Sequence, residues 1–289
     1  MSDSKNTCII NSMRILITGI PRVGKSTIIQ NIIKNINAPI NGIITKELRN
    51  DSGKRIGFES CNLNSQCKLL AHVSDINSKY TIANKYHVDI DVIDNFICNE
   101  ISNSNNNKIL IIDEIGRMQA ISQKFLKIIE SSFQKNNTII ATIVYDPEPW
   151  SMELKNKKDI LKIIVTKENR EWISEAILII IKLDNQLKKI SYKQKIFTFK
   201  LLEDYFSQNK KIQVFKLVNN ALKYIINDMV TIKEENIFKV IGNTKIHNVI
   251  YGKTRVAQCD CDLWNGKGDY LKSEGICSHI QAVELFKLK

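Results

Sequence analysis

The sequence predicts an α/β protein: a three-layer domain with a mostly parallel sheet, followed by a small C-terminal α+β domain that holds a metal. Three observations predict it. Strand and helix alternate through about residue 184, the pattern of helices packed on both faces of a parallel sheet. A glycine-rich loop, GIPRVGKST, follows the first apolar run. Near the other end, QCDCDLW and GICSH bring three cysteines and a histidine to metal-ligand spacing.

The elements follow in order. Residues 1–12 read as a disordered leader, and Met13 directly precedes the first strand. RILIT (14–18) is a buried strand, then a glycine loop, then a helix from Lys25 to about Ile36. NGIITKELRNDSGKRIGFESCNL reads as two strands about a turn at Asp51 to Lys54. Asp89 to Ile101 has helical character and SNSNNN (102–107) is a polar loop. KILIID (108–113) suits a strand buried on both faces. A helix over Ser122 to Phe133, strands at 138–144 and 160–166, and a closing helix, ENREWISEAILIIIKL, complete a domain over 13–184. Residues 185–208 read as a basic linker leading into a helix. The C-terminal module, 209–289, has a helix, paired strands at Ile237 to Ile241 and Val249 to Gln258, and then the cysteines.

Composition bounds the function classes. With 43% hydrophobic and 25% charged residues among 289, there is apolar material for a packed core. The net charge of +12 favours anionic partners. Only seven of the 42 basic residues are Arg, and Ile, Asn and Lys are abundant, so codon bias accounts for the charge equally well. Ile181 onward carries +8 and residues 1–180 carry +4, which favours a nucleic-acid role for the C-terminal part. MSDSKNTCIINS lacks the apolar core of a secretory leader, and the apolar stretch Ala176 to Ile181 is far short of a membrane span. The expectation is a cytoplasmic protein without membrane contact. Disulfides are then disfavoured, and Cys8, Cys61, Cys67 and Cys98 read as separate thiols.

The loop Gly19-Ile20-Pro21-Arg22-Val23-Gly24-Lys25-Ser26-Thr27 matches the Walker A pattern. Backbone N–H groups must point inward around an anion there, with Lys25 reaching the β- and γ-phosphates and Ser26 ligating Mg²⁺. The second half of such a site is an acid at the end of another buried strand. Asp113 is placed to hold Mg²⁺ through water, and Glu114 to polarise the water that attacks the γ-phosphate.

Taken together, MRILITGIPRVGKST, GKRIGF (53–58), LAHVS (70–74), IIDEIGRM (111–118), ATI (141–143) and VTKENR (165–170) resemble the THEP-type, or cancer-related, nucleoside-triphosphatases. The resemblance runs from about residue 13 to 184. It implies Mg²⁺-dependent hydrolysis of NTP to NDP with loose preference between ATP, GTP and other bases. It puts phosphate binding on Gly19 to Thr27, and metal and water activation on Asp113 and Glu114. Two departures stand out. Arg117 replaces the usual Lys after DEIG, either as an in-cis finger or as a surface ion pair. Val144-Tyr145-Asp146 replaces a His-Arg pair after ATI. Asn169 and Arg170 follow the last strand, where bases are often bracketed, although helix capping is the stronger reading of Asn169.

Cys259, Cys261, Cys277 and His279 match a closed tetrahedral Zn²⁺ site. Four protein ligands leave no open position, so the metal is structural. Asp260 and Asp262 read as solvated turn carboxylates, and Trp264 as a base-stacking or packing residue. The spacing resembles the SWIM zinc finger over residues 237–287, with Ile-Cys-Ser-His where many members carry Pro-Cys-Lys-His. That resemblance implies DNA, RNA or protein binding. Two other function classes remain open beside the hydrolase: a nucleotide- or polynucleotide-kinase-like phosphotransferase, and a non-enzymatic NTP-gated nucleic-acid binder.

Overall fold

β1 (Arg14–Thr18) is buried along its whole length, as an apolar run in the middle of a sheet must be. A computed structural model describes residues 12–104, 107–208, 213–242, 245–252, 257–261 and 277–289. The expected leader up to residue 11, Asp262 and Trp264 lie outside the described residues. The chain divides into two compact units, Met1–Ser174 and Glu175–Lys289.

In the first unit, α1 (Lys25–Asn35) follows β1, and β2 (Ile40–Arg49) and β3 (Arg55–Asn62) form a long hairpin. β4 (Cys67–His72), β5 (Thr81–Ile82) and β6 (Tyr86–Val88) extend that edge. A π-helical turn at Val92–Ile97 runs into α2 (Cys98–Ser102). Then come β7 (Ile109–Ile115), α3 (Gln123–Ser132), β8 (Ile139–Ile143), α4 (Pro149–Lys155) and β9 (Leu161–Ile164). The strand order is β5-β6-β4-β3-β2-β7-β8-β1-β9. The five strands from β2 to β9 pair in parallel, and the other four are antiparallel. β8 therefore separates β1 from β7. At about 4.8 Å per strand, the ends of β1 and β7 lie roughly 10 Å apart.

Local signals fix the ends of these elements. Ser122 caps α3 by accepting the Phe125 N–H at 3.0 Å, and its hydroxyl also donates to Asp94. Phe125 and Ile129 then enter a core with Leu110, Ile112, Ile139 and Ala141.

The second unit carries α5 (Ile173–Ile181), whose first two residues belong to the first unit, α6 (Asp184–Leu187), α7 (Tyr192–Ser207) and α8 (Gln213–Ile226). A four-stranded antiparallel sheet follows: β10 (Val230–Glu234), β11 (Ile237–Ile241), β12 (Ile246–Tyr251) and β13 (Ala257–Cys259). α9 (Ser278–Phe286) closes the chain. α7 starts at a reciprocal cap: Ser191 accepts the Gln194 N–H at 3.3 Å and Gln194 accepts the Ser191 N–H at 2.9 Å. That Ser-x-x-Gln signal sits inside the charged segment 185–195, which by composition reads only as linker. Among the described residues, no helix is long and apolar enough to cross a membrane.

The expectation for two cysteines is corrected. Cys61 and Cys67 are disulfide-bonded. They face each other across the β3–β4 ladder with Cα atoms 4.0 Å apart, close enough for a bridge because antiparallel pairing brings opposed residues together.

One buried ion pair gives a stability test. Arg14 is 1% exposed, and its guanidinium donates to Asp159 at 2.7 Å and to the Lys135 carbonyl at 3.1 Å. Removing the carboxylate takes the Asp159 charge away from a buried guanidinium. Asp159→Ala is expected to destabilise the chain by about 3 kcal/mol, measured by chemical denaturation.

Candidate functional site

The glycine loop joins β1 to α1 and presents the start of that helix at the C-terminal edge of the parallel strands. Gly24 occupies the N-cap with φ 113°, a backbone conformation that side chains resist. No side chain caps α1, so its first-turn N–H groups, which lack intrahelical partners, are left for an anion. Ile20, Pro21 and Arg22 are exposed while Val23 is buried and anchors the loop. Lys25 donates through Nζ to the Gly19 carbonyl at 2.9 Å and to the Ile20 carbonyl at 3.4 Å, which lays the ammonium across the loop. Ser26 and Thr27 are exposed in the first turn.

Asp113 lies near the end of β7 and is 3% exposed. The Thr142 hydroxyl of β8 donates to its Oδ1 at 2.6 Å. The Ser26 side chain and the Lys25 charge also act on it. Burial pushes the Asp113 carboxyl above the ordinary range, against the pull of these three groups. Glu114, half-buried, is raised too, first by burial and then by the Asp113 charge, with Lys25 opposing. Lys25, Ser26, Asp113 and Glu114 therefore form one constellation, bridged across β8. Hydroxyl and carboxylate oxygens meeting at Ser26 and Asp113 are the hard donors that suit Mg²⁺.

The remaining candidates are placed differently. Arg117 donates to Glu148 and to Asp146, each at 2.7 Å. Both arms of its guanidinium are engaged in a surface ion pair, one of the two readings the sequence left open. Asn169 is 2% exposed. It accepts the Thr166 N–H at 2.8 Å and donates to the Ile164 carbonyl at 2.9 Å, so both of its polar atoms brace the loop after β9. Arg170 is exposed, pairs with Glu171 at 3.0 Å and lays its aliphatic chain near Gly24, on the loop's flank.

A family profile described as NTPase matches residues 14–178. The chain belongs to this NTPase family. The NTPase-family chain is 33% identical over 178 residues to the nucleoside-triphosphatase THEP1 of Thermotoga sp. (strain RQ2), covering 61% of this chain and 100% of the relative. It is 29% identical over 183 residues to the cancer-related nucleoside-triphosphatase of Homo sapiens, covering 55% of this chain and 91% of the relative. The crystal structure of THEP1 from the hyperthermophile Aquifex aeolicus is similar with a TM-score of 0.54 and 28% identity, over 59% of this chain and 99% of that one.

The second unit of the NTPase-family chain holds a separate cluster. Cys259 ends β13, Cys261 follows after one intervening residue, Cys277 caps α9 and His279 lies in its first turn. All four are buried, with ligand atoms within 4.8 Å of one another. Cys261 and Cys277 sulfurs are 3.5 Å apart, and His279 Nδ1 lies 3.7 Å from Cys259 and 3.6 Å from Cys277. A tetrahedron with bonds of about 2.3 Å to sulfur and about 2.0 Å to nitrogen has edges of about 3.5–3.8 Å. The cluster fits a zinc ion. The Cys259 thiol is pushed up by its contacts with Cys261 and Cys277 and by burial, so a cation is what would let the thiols ionise together.

Sequence reasoning missed the support around this cluster. The His279 ring stacks against Tyr224, 5.2 Å away, and against His247, 4.1 Å away. His247 Nδ1 pairs with Asp260 at 3.1 Å, and Asp260 also accepts from the Asn248 N–H at 3.1 Å and side chain at 2.9 Å. Asp260 is thus a bonded turn residue, not merely a solvated one. Its identity beside Cys259 was visible, but the pairing with β12 needed the strand register.

Replacing Thr142 tests the strain on Asp113. Thr142→Val removes a buried donor without changing shape. The variant is expected to lose about 2 kcal/mol of stability at neutral pH, read from urea denaturation.

Proposed function

We propose that this chain is a Mg²⁺-dependent nucleoside-triphosphatase that releases NDP and phosphate. The observation that carries this reading is the meeting of Lys25, Ser26, Asp113 and Glu114 at one edge of the sheet. The α1 amides and Lys25 would hold the β- and γ-phosphates. Ser26 and Asp113 would hold the metal, which when bound neutralises charge on the transferring phosphoryl group. Glu114 would take a proton from the attacking water and so raise its nucleophilicity. The partly buried position of Glu114 favours water over a bulky acceptor, and thus hydrolysis over phosphotransfer. With Asn169 committed to its own loop, Arg170 is the base-side candidate, in keeping with loose base preference. Arg117 would have to leave Asp146 and Glu148 to serve as a finger.

For the second unit, the same reading assigns a structural zinc to Cys259, Cys261, Cys277 and His279, in a SWIM-type module at 209–289 joined through 185–208 to an NTPase domain at 13–184. The positive C-terminal charge supports DNA or RNA as its partner.

Three measurements test these readings. Phosphate release from ATP and GTP should fall at least about a hundredfold in Lys25→Ala and in Glu114→Gln. Equal release by wild type and both variants would sink the hydrolase reading, and labelled γ-phosphate on a nucleoside or a 5′ end would replace it with phosphotransfer. Purified protein should carry one zinc per chain, and Cys277→Ser should lose it together with the α9 helix signal. If nucleic acid is the partner, its affinity should fall linearly with log salt concentration.

A further inference from the structure

Gln119 lies five residues beyond Glu114 and is 0% exposed. It opens a 3₁₀ turn over Gln119–Ile121. Its Nε2 stands 3.4 Å from Thr45 Oγ1 on β2, long for a hydrogen bond. Its Oε1 is buried with no partner. Buried polar atoms almost always find one, so this oxygen calls for an account.

Gly116 shows where that oxygen points. A Cβ on Gly116 would stand 2.5 Å from Glu114 Oε1 and 3.1 Å from Gln119 Oε1. The two side chains converge over the bare Cα of Gly116, and any larger residue there would push Glu114 away. Both oxygens are acceptors, so as they stand neither can bond the other. Turning the amide over exchanges its oxygen and nitrogen without changing its shape. Nε2 then faces Glu114 as donor to acceptor, and Oε1 faces the Thr45 hydroxyl as acceptor to donor, still at 3.4 Å.

We propose that Gln119 is a positioning residue for Glu114: its amide, anchored by the Thr45 hydroxyl, donates to Glu114 Oε1 and aims the other carboxylate oxygen at the attacking water. The inference rests on the reading of Glu114 as the base. Gln119 touches neither phosphate nor metal in this scheme, so it acts on turnover and not on nucleotide binding.

Steady-state NTP hydrolysis by the full chain tests it with four variants. Gln119→Met, of similar volume and without a donor, should lower kcat about tenfold while KM stays within about twofold. Thr45→Val should lower kcat in the same direction by less, and Thr45→Ser, which keeps the hydroxyl, should match wild type. A Gln119→Met kcat equal to wild type overturns the inference, and so does a Thr45→Ser defect as large as that of Thr45→Val, which would mean packing. If Gln119→Met does not fold, the Thr45 pair decides alone. Glu114→Gln separates the two levels. Unimpaired Glu114→Gln overturns the base and the positioning residue together, whereas an inactive Glu114→Gln beside an unimpaired Gln119→Met overturns only the role of Gln119.

Discussion

Asp113 is a carboxylate held almost out of reach of water, and the rest of the first unit is arranged so that it can stay there. Ile109 to Ile112 carry the chain through the sheet interior, and an apolar strand is the only route by which an acid reaches that depth. A buried charge needs partners in fixed places. Thr142 comes from the adjacent β8, and Ser26 and Lys25 come from the glycine loop beyond it. The insertion of β8 between β1 and β7 sets the distance that these groups span. The sheet order and the local chemistry are thus one constraint, seen at two scales.

Much of this was legible in the sequence because each part has a short-range signal. RILIT, the glycine loop and KILIID read directly as strand, anion loop and acid-tipped strand, and the family match over 14–178 agrees. What stayed hidden was set by register. β4, β5 and β6 are short edge strands with no clean alternation, so the Cys61–Cys67 pairing had no visible basis. Gln119 and Thr45 are 74 residues apart and meet only because β2 lies beside β7. Arg117 kept two readings until Asp146 and Glu148 were found beside it. A motif names the residues of a site, whereas the packing around them is decided by topology.

The second unit shows the opposite balance. Its cluster of three cysteines and a histidine was legible from the one-residue gaps in QCDC and CSH. The surroundings were not. His247 and Tyr224 stack on His279 from two different elements, and Asp260 steadies His247 from the turn. Oriented imidazoles of this kind are held by neighbours that bind no metal themselves. α7, α8 and α9 give this unit buried Phe199, Leu202, Phe206, Leu222 and Val283, and a metal-held corner would add to that burial.

The disulfide has a consequence beyond its own hairpin. Cys67 pairs with Cys61, Cys61 with Ile44, and Ile44 with Asp113. These four residues form a single rung running from the antiparallel edge to the buried acid. Fraying that begins at the outer strands can separate hydrogen bonds but not a covalent crosslink. The crosslink therefore keeps β3 and β4 together at the outer end of that rung, and thiol reduction would leave hydrogen bonds alone to hold them.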